Sequence, residues 1–258
     1  MIMKRVLALF RLFRSVLRTN LWMTLRINFK FLPLSQAIRL PIFIYGPFIL
    51  RGRMGHVEIK APISPGIIKV GRKDRYLTTT KPLTVWNLNG VIEFNGKITF
   101  FQSSYILVAQ NARLKFGKGN QGKEYEPACG SNLHIICFGN IVIEDAHLAW
   151  DCQLIDSSFH YLKNITSSEE IHSLVKPIHI GNHVWIGNRT TIMGGAKIPN
   201  ETIVASHSMV NRDYSGIGPY CLLAGIPAAV KKQGVQRIYD KVEEADLDIA
   251  FNYDRTRL

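Results

Sequence analysis

Eight histidines are spread along the 258-residue chain, and one stands where a regular pattern breaks off. His160 closes the run WDCQLIDSSFH (150–160), at the point where a six-residue periodicity gives way to an irregular stretch. A neutral imidazole titrates near neutral pH, so it can accept a proton from a hydroxyl as that hydroxyl attacks an electrophile, work worth about 10²–10⁴ in rate. Such a base is best held by a carboxylate on its second ring nitrogen. Asp156 is the favoured partner; Asp151 and Glu169 compete, and spacing alone does not choose. A metal reading is weaker. His172, His179, His183 and His207 lie 7, 4 and 24 residues apart, and on a six-residue repeat a gap of four changes side, so no metal site is expected. Cys129, Cys137, Cys152 and Cys221 form no CxxC pair, which points to free thiols in a reducing compartment.

The elements that must position His160 are read from the repeat itself. Every sixth residue from Ile180 is aliphatic: Ile180, Ile186, Ile192, Ile198, Val204 and Val210. A second register, Val184, Thr190, Ala196, Thr202 and Ser208, is small throughout. Neither a helix nor a simple strand has this period, so the chain must coil in equal short sides around an aliphatic axis, with small residues at the corners. Earlier the pattern is looser. Phe94, Phe100 and Ile106 stay in step, with Ile98 and Ser104 at the corner register, and the phase returns at Cys137, Ile143, Ala149 and Ile155. From Ile155 to Ile180 is 25 residues, which is not a multiple of six, so a loop over 156–178 must protrude from a corner. Gly117 to Pro127 (GKGNQGKEYEP) reads as a second, polar loop rather than a phosphate cradle.

The hexads, with the words IGNHVWIG (180–187) and LLAGIPAAVKK (222–232), resemble the hexapeptide-repeat acetyltransferases. The resemblance implies a mainly β fold, a left-handed parallel β-helix in which three hexads close one triangular coil, and a homotrimer. It also implies an O- or N-acetyltransferase that uses acetyl-CoA. Ile141–His160 matches without a gap the coil that ends in the catalytic histidine of the family's sugar O-acetyltransferases, so His160 is implied as general base. For acetyl-CoA, Trp185 would wall the acetyl end of a groove between subunits, unless it is only a large residue on the outer face; Asn188 would sit near the thioester arm, and Ser206 and Asn211 would line the pantetheine. Lys231 and Lys232 would face the nucleotide phosphates. Two residues depart from the pattern: Ala229 replaces an arginine and His207 a glycine.

Net charge is +13, and its placement matters more than its size. Between Met1 and Arg53 there are ten Lys or Arg and no Asp or Glu. On a helical projection Lys4, Arg11, Arg14 and Arg18 share one face, while Val6, Leu9, Phe10, Phe13, Val16 and Leu17 share the other. Two readings are open: a helix lying in an anionic membrane interface, or one packed on the β-helix wall. No apolar run approaches the ~18 residues of a membrane span, and Arg11 and Arg14 interrupt any signal-peptide core. The basic residues interleave with a greasy face, so nucleic acid is not an expected partner.

Three regions follow: a basic, hydrophobic segment (1–53), with Leu32–Leu50 as a connector, the β-helix (54–230), and a tail with a short helix (231–258). The expected activity is transfer of acetyl to a sugar hydroxyl of a surface polysaccharide or its precursor, lipid-linked or not, in the cytoplasm at the inner face of a bacterial membrane. Smaller acceptors (a free sugar, serine, an antibiotic) and a non-catalytic scaffold are the alternatives.

Overall fold

The computed structural model describes residues 18–74, 81–119, 125–166, 171 and 173–254. Within them the chain winds as a three-sided parallel β-helix. Each coil gives one short strand to each of three sheets, which hold nine, seven and six strands. The late hexads set the geometry. Ile180 pairs beside Ile198, Ile186 beside Val204, and Ile192 beside Val210, so three hexads make one coil and like residues stack. None of these six is more than 1% exposed. Full burial of an aliphatic side chain contributes about 1.5–3 kcal/mol, and the stack repeats that gain on every side. The small register is also buried, and its hydroxyls bond locally: Thr190 Oγ1 donates to the Ala205 carbonyl (3.2 Å) and Ser208 Oγ accepts from the Gly225 amide (3.2 Å).

The earlier coils are filled differently. Phe48, Trp86, Phe94, Phe100 and Phe116 form a chain of ring contacts with centroids 5.2–6.5 Å apart. Large rings take up the slack of an imperfect repeat.

Two expectations about phase need correction. Leu148 and Leu154, rather than Ala149 and Ile155, face the axis: Leu148 pairs with Ile186 and Leu154 with Ile192, while Ala149 and Ile155 are half-buried. The turn from Ile143 to Ala146 is one residue shorter than the equivalent turn from Ile180 to Val184, which shifts the register. The solenoid also starts before residue 54. Ile42–Ile44 and Phe48–Arg51 already pair with Ile68–Val70 and Thr84–Asn87, so most of the hydrophobic connector is the first coil.

That first strand would expose an unpaired edge, and a helix covers it. Helix α1 (Leu21–Phe31) is capped by Asn20, whose side chain accepts from the Met23 amide (3.2 Å). Its inner face replaces a neighbouring strand. Asn28 Nδ2 donates to the Ile42 carbonyl (2.7 Å), Asn28 Oδ1 accepts from the Ile42 amide (3.2 Å), and Thr24 Oγ1 accepts from the Ile44 amide (3.1 Å). Both side chains are buried, so backbone groups that would template aggregation are met inside the molecule. A single turn of helix, α2 (Leu34–Ala37), links α1 to the first coil. The amphipathic pattern over Lys4–Leu17 lies outside the described residues. At the other end the hairpin Cys221–Gly225/Ala228–Gln233 closes the first sheet, and helix α3 (Lys241–Ala250) follows, capped by Asp240.

Replacing Asn28 by Leu leaves the Ile42 amide and carbonyl buried without partners. It should destabilise the fold by about 2–4 kcal/mol, read as a lower denaturant midpoint with an unchanged slope; an unchanged midpoint would show that the edge does not need this cap.

Candidate active site

The coil is interrupted between Gln153–Ile155 on the second face and Ile178–Ile180 on the third. The excursion leaves and returns on two antiparallel legs. Ser158 N–H donates to the Leu174 carbonyl (3.0 Å), Lys176 N–H donates to the Asp156 carbonyl (2.9 Å), and Ser157 bridges Val175. Phe159, with φ +61°, turns the outgoing leg, and its ring packs edge-on against Phe138 at 5.4 Å. His160 follows at once, its amide bonded to the Ser158 carbonyl (2.8 Å). Its ring is exposed and lines a cavity of about 490 Å³ together with Asp156, Tyr161, Lys176, Gly194 and Asn211. Gly194 is required there, because a Cβ would lie 2.8 Å from the Asp156 carbonyl oxygen.

Asp156 has a different task from the one expected of it. Its side chain is fully buried, and its two oxygens accept from the amides of Phe138 (2.7 Å) and Gly139 (2.8 Å) on the preceding coil. Neither ring nitrogen of His160 bonds to it. Burial pushes the Asp156 carboxyl above its ordinary range, opposed by those two amides, and its charge adds to the burial that drives the Cys137 thiol up to about 12. Asp156 is therefore the anchor from which the excursion departs. Asp151 is also engaged elsewhere, accepting from Asn132 Nδ2 (2.9 Å). Glu169 lies outside the described residues, as does His172.

The remaining residues separate into groups. Asn211 shares the His160 cavity. Asn188 and Ser206 sit on successive coils and bond to each other, Ser206 Oγ donating to Asn188 Oδ1 at 2.6 Å. Lys231 and Lys232 are exposed on the outer strand of the hairpin. Trp185 lies on the first face, 39% exposed, in a second cavity of about 440 Å³ that does not include His160. In one chain Asn211 shares the cavity of His160, while Trp185 lies in another.

The first face also carries a cluster that sequence reading passed over. The tail crosses it so that the Arg237 guanidinium stands 5.2 Å from the Trp185 ring and 5.1 Å from that of Tyr239. Tyr239 packs between His147 (5.3 Å) and His183 (5.0 Å), and His183 Nδ1 is 2.5 Å from a Glu201 oxygen. In the sequence only the closeness of Arg237 and Tyr239, two residues apart in the tail, hints at this. Lys176 was likewise hidden inside the irregular stretch. The four cysteines are free and buried.

No family model matches the chain. It is 42% identical over 55 residues to a chloramphenicol acetyltransferase of Morganella morganii, covering 21% of this chain and 25% of that one. Over 115 residues it is 29% identical to the galactoside O-acetyltransferase of Escherichia coli K12, covering 40% and 55% respectively. The chain resembles hexapeptide-repeat acetyltransferases. It thus spans between a quarter and about half the length of these curated relatives. Among solved structures, the polySia-specific acetyltransferase NeuO aligns with 80% of this chain and 93% of its own, at a TM-score of 0.45 and 17% identity.

Two outcomes follow from this geometry. Asp156→Ala frees two amides and should lower the melting temperature markedly, while any activity that survives keeps the wild-type pH profile; a shifted profile would restore the orienting role. Burial first, then the charge of Arg237, holds the His147 imidazole down to about 3. The unfolded chain therefore takes up the proton first as pH falls below about 6.5. Stability due to this group is complete above that pH and is lost progressively towards 3. His147→Phe, which keeps a ring against Tyr239, should lose less stability between pH 7 and 4 than wild type; equal losses would contradict a buried neutral imidazole.

Proposed function

We propose that the protein is an acetyl-CoA-dependent O-acetyltransferase acting on a sugar hydroxyl of a surface polysaccharide or its precursor. The observation that carries this reading is the position of His160, which lines a cavity where the excursion between Ile155 and Ile178 leaves its corner. The residues of this chain suit each part of a direct transfer. The sugar oxygen attacks the thioester carbonyl carbon while a ring nitrogen of His160 takes the hydroxyl proton. The C–S bond breaks, the sulfur recovers that proton from the imidazolium, and His160 ends neutral. Attack by a hydroxyl without a base would require a free alkoxide, which is why the imidazole matters. The Asn188–Ser206 pair gives the thioester arm a polar edge, and Lys231 and Lys232 offer charge to the nucleotide phosphates.

Because Trp185 and His160 occupy separate cavities of one chain, the reading also calls for a second copy to bring them together, in the closed ring of a homotrimer. Titration with acetyl-CoA and a thiol-release assay test the activity. His160→Ala should cut turnover by about 10²–10⁴ while acetyl-CoA binding persists. Absence of binding would favour a non-catalytic scaffold, and unchanged turnover would remove His160 as the base.

Membrane attachment is the second part of the proposal, supported by the outer face of α1. Leu21, Trp22, Leu25 and Phe29 are 37–73% exposed there, continued by Leu34 (68%) and Ile38 (63%). Arg18, Arg26, Lys30 and Arg39 surround them, all exposed. Among the described residues no helix is long and apolar enough to cross a membrane, so the contact would be interfacial, each cation contributing about 1 kcal/mol near anionic lipid. Such a surface suits work at the inner face of the cytoplasmic membrane. Trp22→Glu with Phe29→Glu should abolish co-sedimentation with vesicles containing phosphatidylserine at low salt. Undiminished sedimentation would leave α1 as an edge cover only.

A further inference from the structure

The cavity beside Trp185 is elongated, and its lining follows the sheet. It runs past Arg72, Phe101, Gly130, Ala149 and Trp185, at or just beyond five neighbouring strands of the first face. With strands 4.7–4.9 Å apart, the groove is roughly 19 Å long, which suits an oligosaccharide better than a single sugar. One end is aromatic, with Trp150 and Trp185 offering flat apolar surface of the kind that packs against pyranose rings. The other end is basic, formed by exposed Arg72 and Lys73.

Charge along this groove is one-sided. Arg237 stands over Trp185 and adds a third cation. Among the described lining residues the one acid is Asp74, bonded by Ser131 Oγ at 3.2 Å. His147 is in the lining as well, 9% exposed, and its Nε2 has no hydrogen-bond partner among the described residues. The planar fork of an arginine and the point charge of a lysine both suit a carboxylate or phosphate on a sugar, and neither is needed to hold a neutral glycan.

We infer that this groove is the acceptor site and that the acceptor is an extended acidic glycan, laid along the first face with its anionic groups at Arg72 and Lys73 and its reacting sugar at Trp185. The inference deepens the transferase reading by naming the substrate class. Its binding test does not depend on catalysis. Two or more sugars must separate the anion end from the reacting end, so single acidic sugars gain little from the cations.

The test uses the full-length protein and hexagalacturonate, its fully methyl-esterified form, and monomeric galacturonate, with affinities read by calorimetry at low and moderate salt. The acidic hexamer should bind at least about tenfold tighter than the ester and than the monomer, and its affinity should fall with salt. Arg72→Gln with Lys73→Gln, two exposed changes that remove the charges and keep polar side chains, should erase the difference between acid and ester while acetyl-CoA affinity stays at the wild-type value. Equal binding of acid and ester, or an undiminished preference in the double variant, would overturn the inference. Loss of acetyl-CoA binding in wild type would instead remove the transferase reading and leave the glycan measurement standing.

Discussion

Coil upon coil, one aliphatic side chain per side lies directly over the next, and the rest of the molecule accommodates that stack. Parallel pairing fixes the rise of each turn, and the buried register fixes its girth. A chain so constrained has no room inside for extra residues. Anything beyond the repeat must be put at a corner or an end. The excursion that carries His160, the helix over the first strand and the hairpin with its tail are three instances of that rule.

Each end solves the problem of an open edge in its own way. At the start, Asn28 and Thr24 stand in for a strand, so one helix satisfies the first coil with its inner face while its outer face stays apolar. At the finish, an antiparallel hairpin reverses the chain and lets the tail bring Arg237 and Tyr239 onto the first face. The segments that close the solenoid are also those that present its charged and apolar surfaces.

Much of this was legible from residue spacing. The period of six in Ile180–Val210 dictates the prism, and the break after Ile155 dictates a protrusion, because both follow from counting along a regular backbone. What counting could not reach depends on tertiary contact. The short turn at Glu144–Asp145 moves Leu148 and Leu154 into the axis, and a phase carried past it puts Ala149 there instead. Prolines at 33, 41 and 47 disguise the first coil as a connector. Asp156 lies near His160 in sequence, yet the amides that claim it come from the coil below. Arg237 has a meaning only once the tail has folded across Trp185 and Tyr239.

The central proposal is that catalysis needs His160 from one subunit and Trp185 from another. Two variants, His160→Ala and Trp185→Ala, each of low activity, can be mixed, unfolded, refolded together and assayed for acetyl transfer. Random assembly into the proposed threefold rings would leave one intact site in every mixed ring, so the mixture should recover about a quarter of wild-type activity. A mixture no more active than its two parents would contradict a site shared between chains.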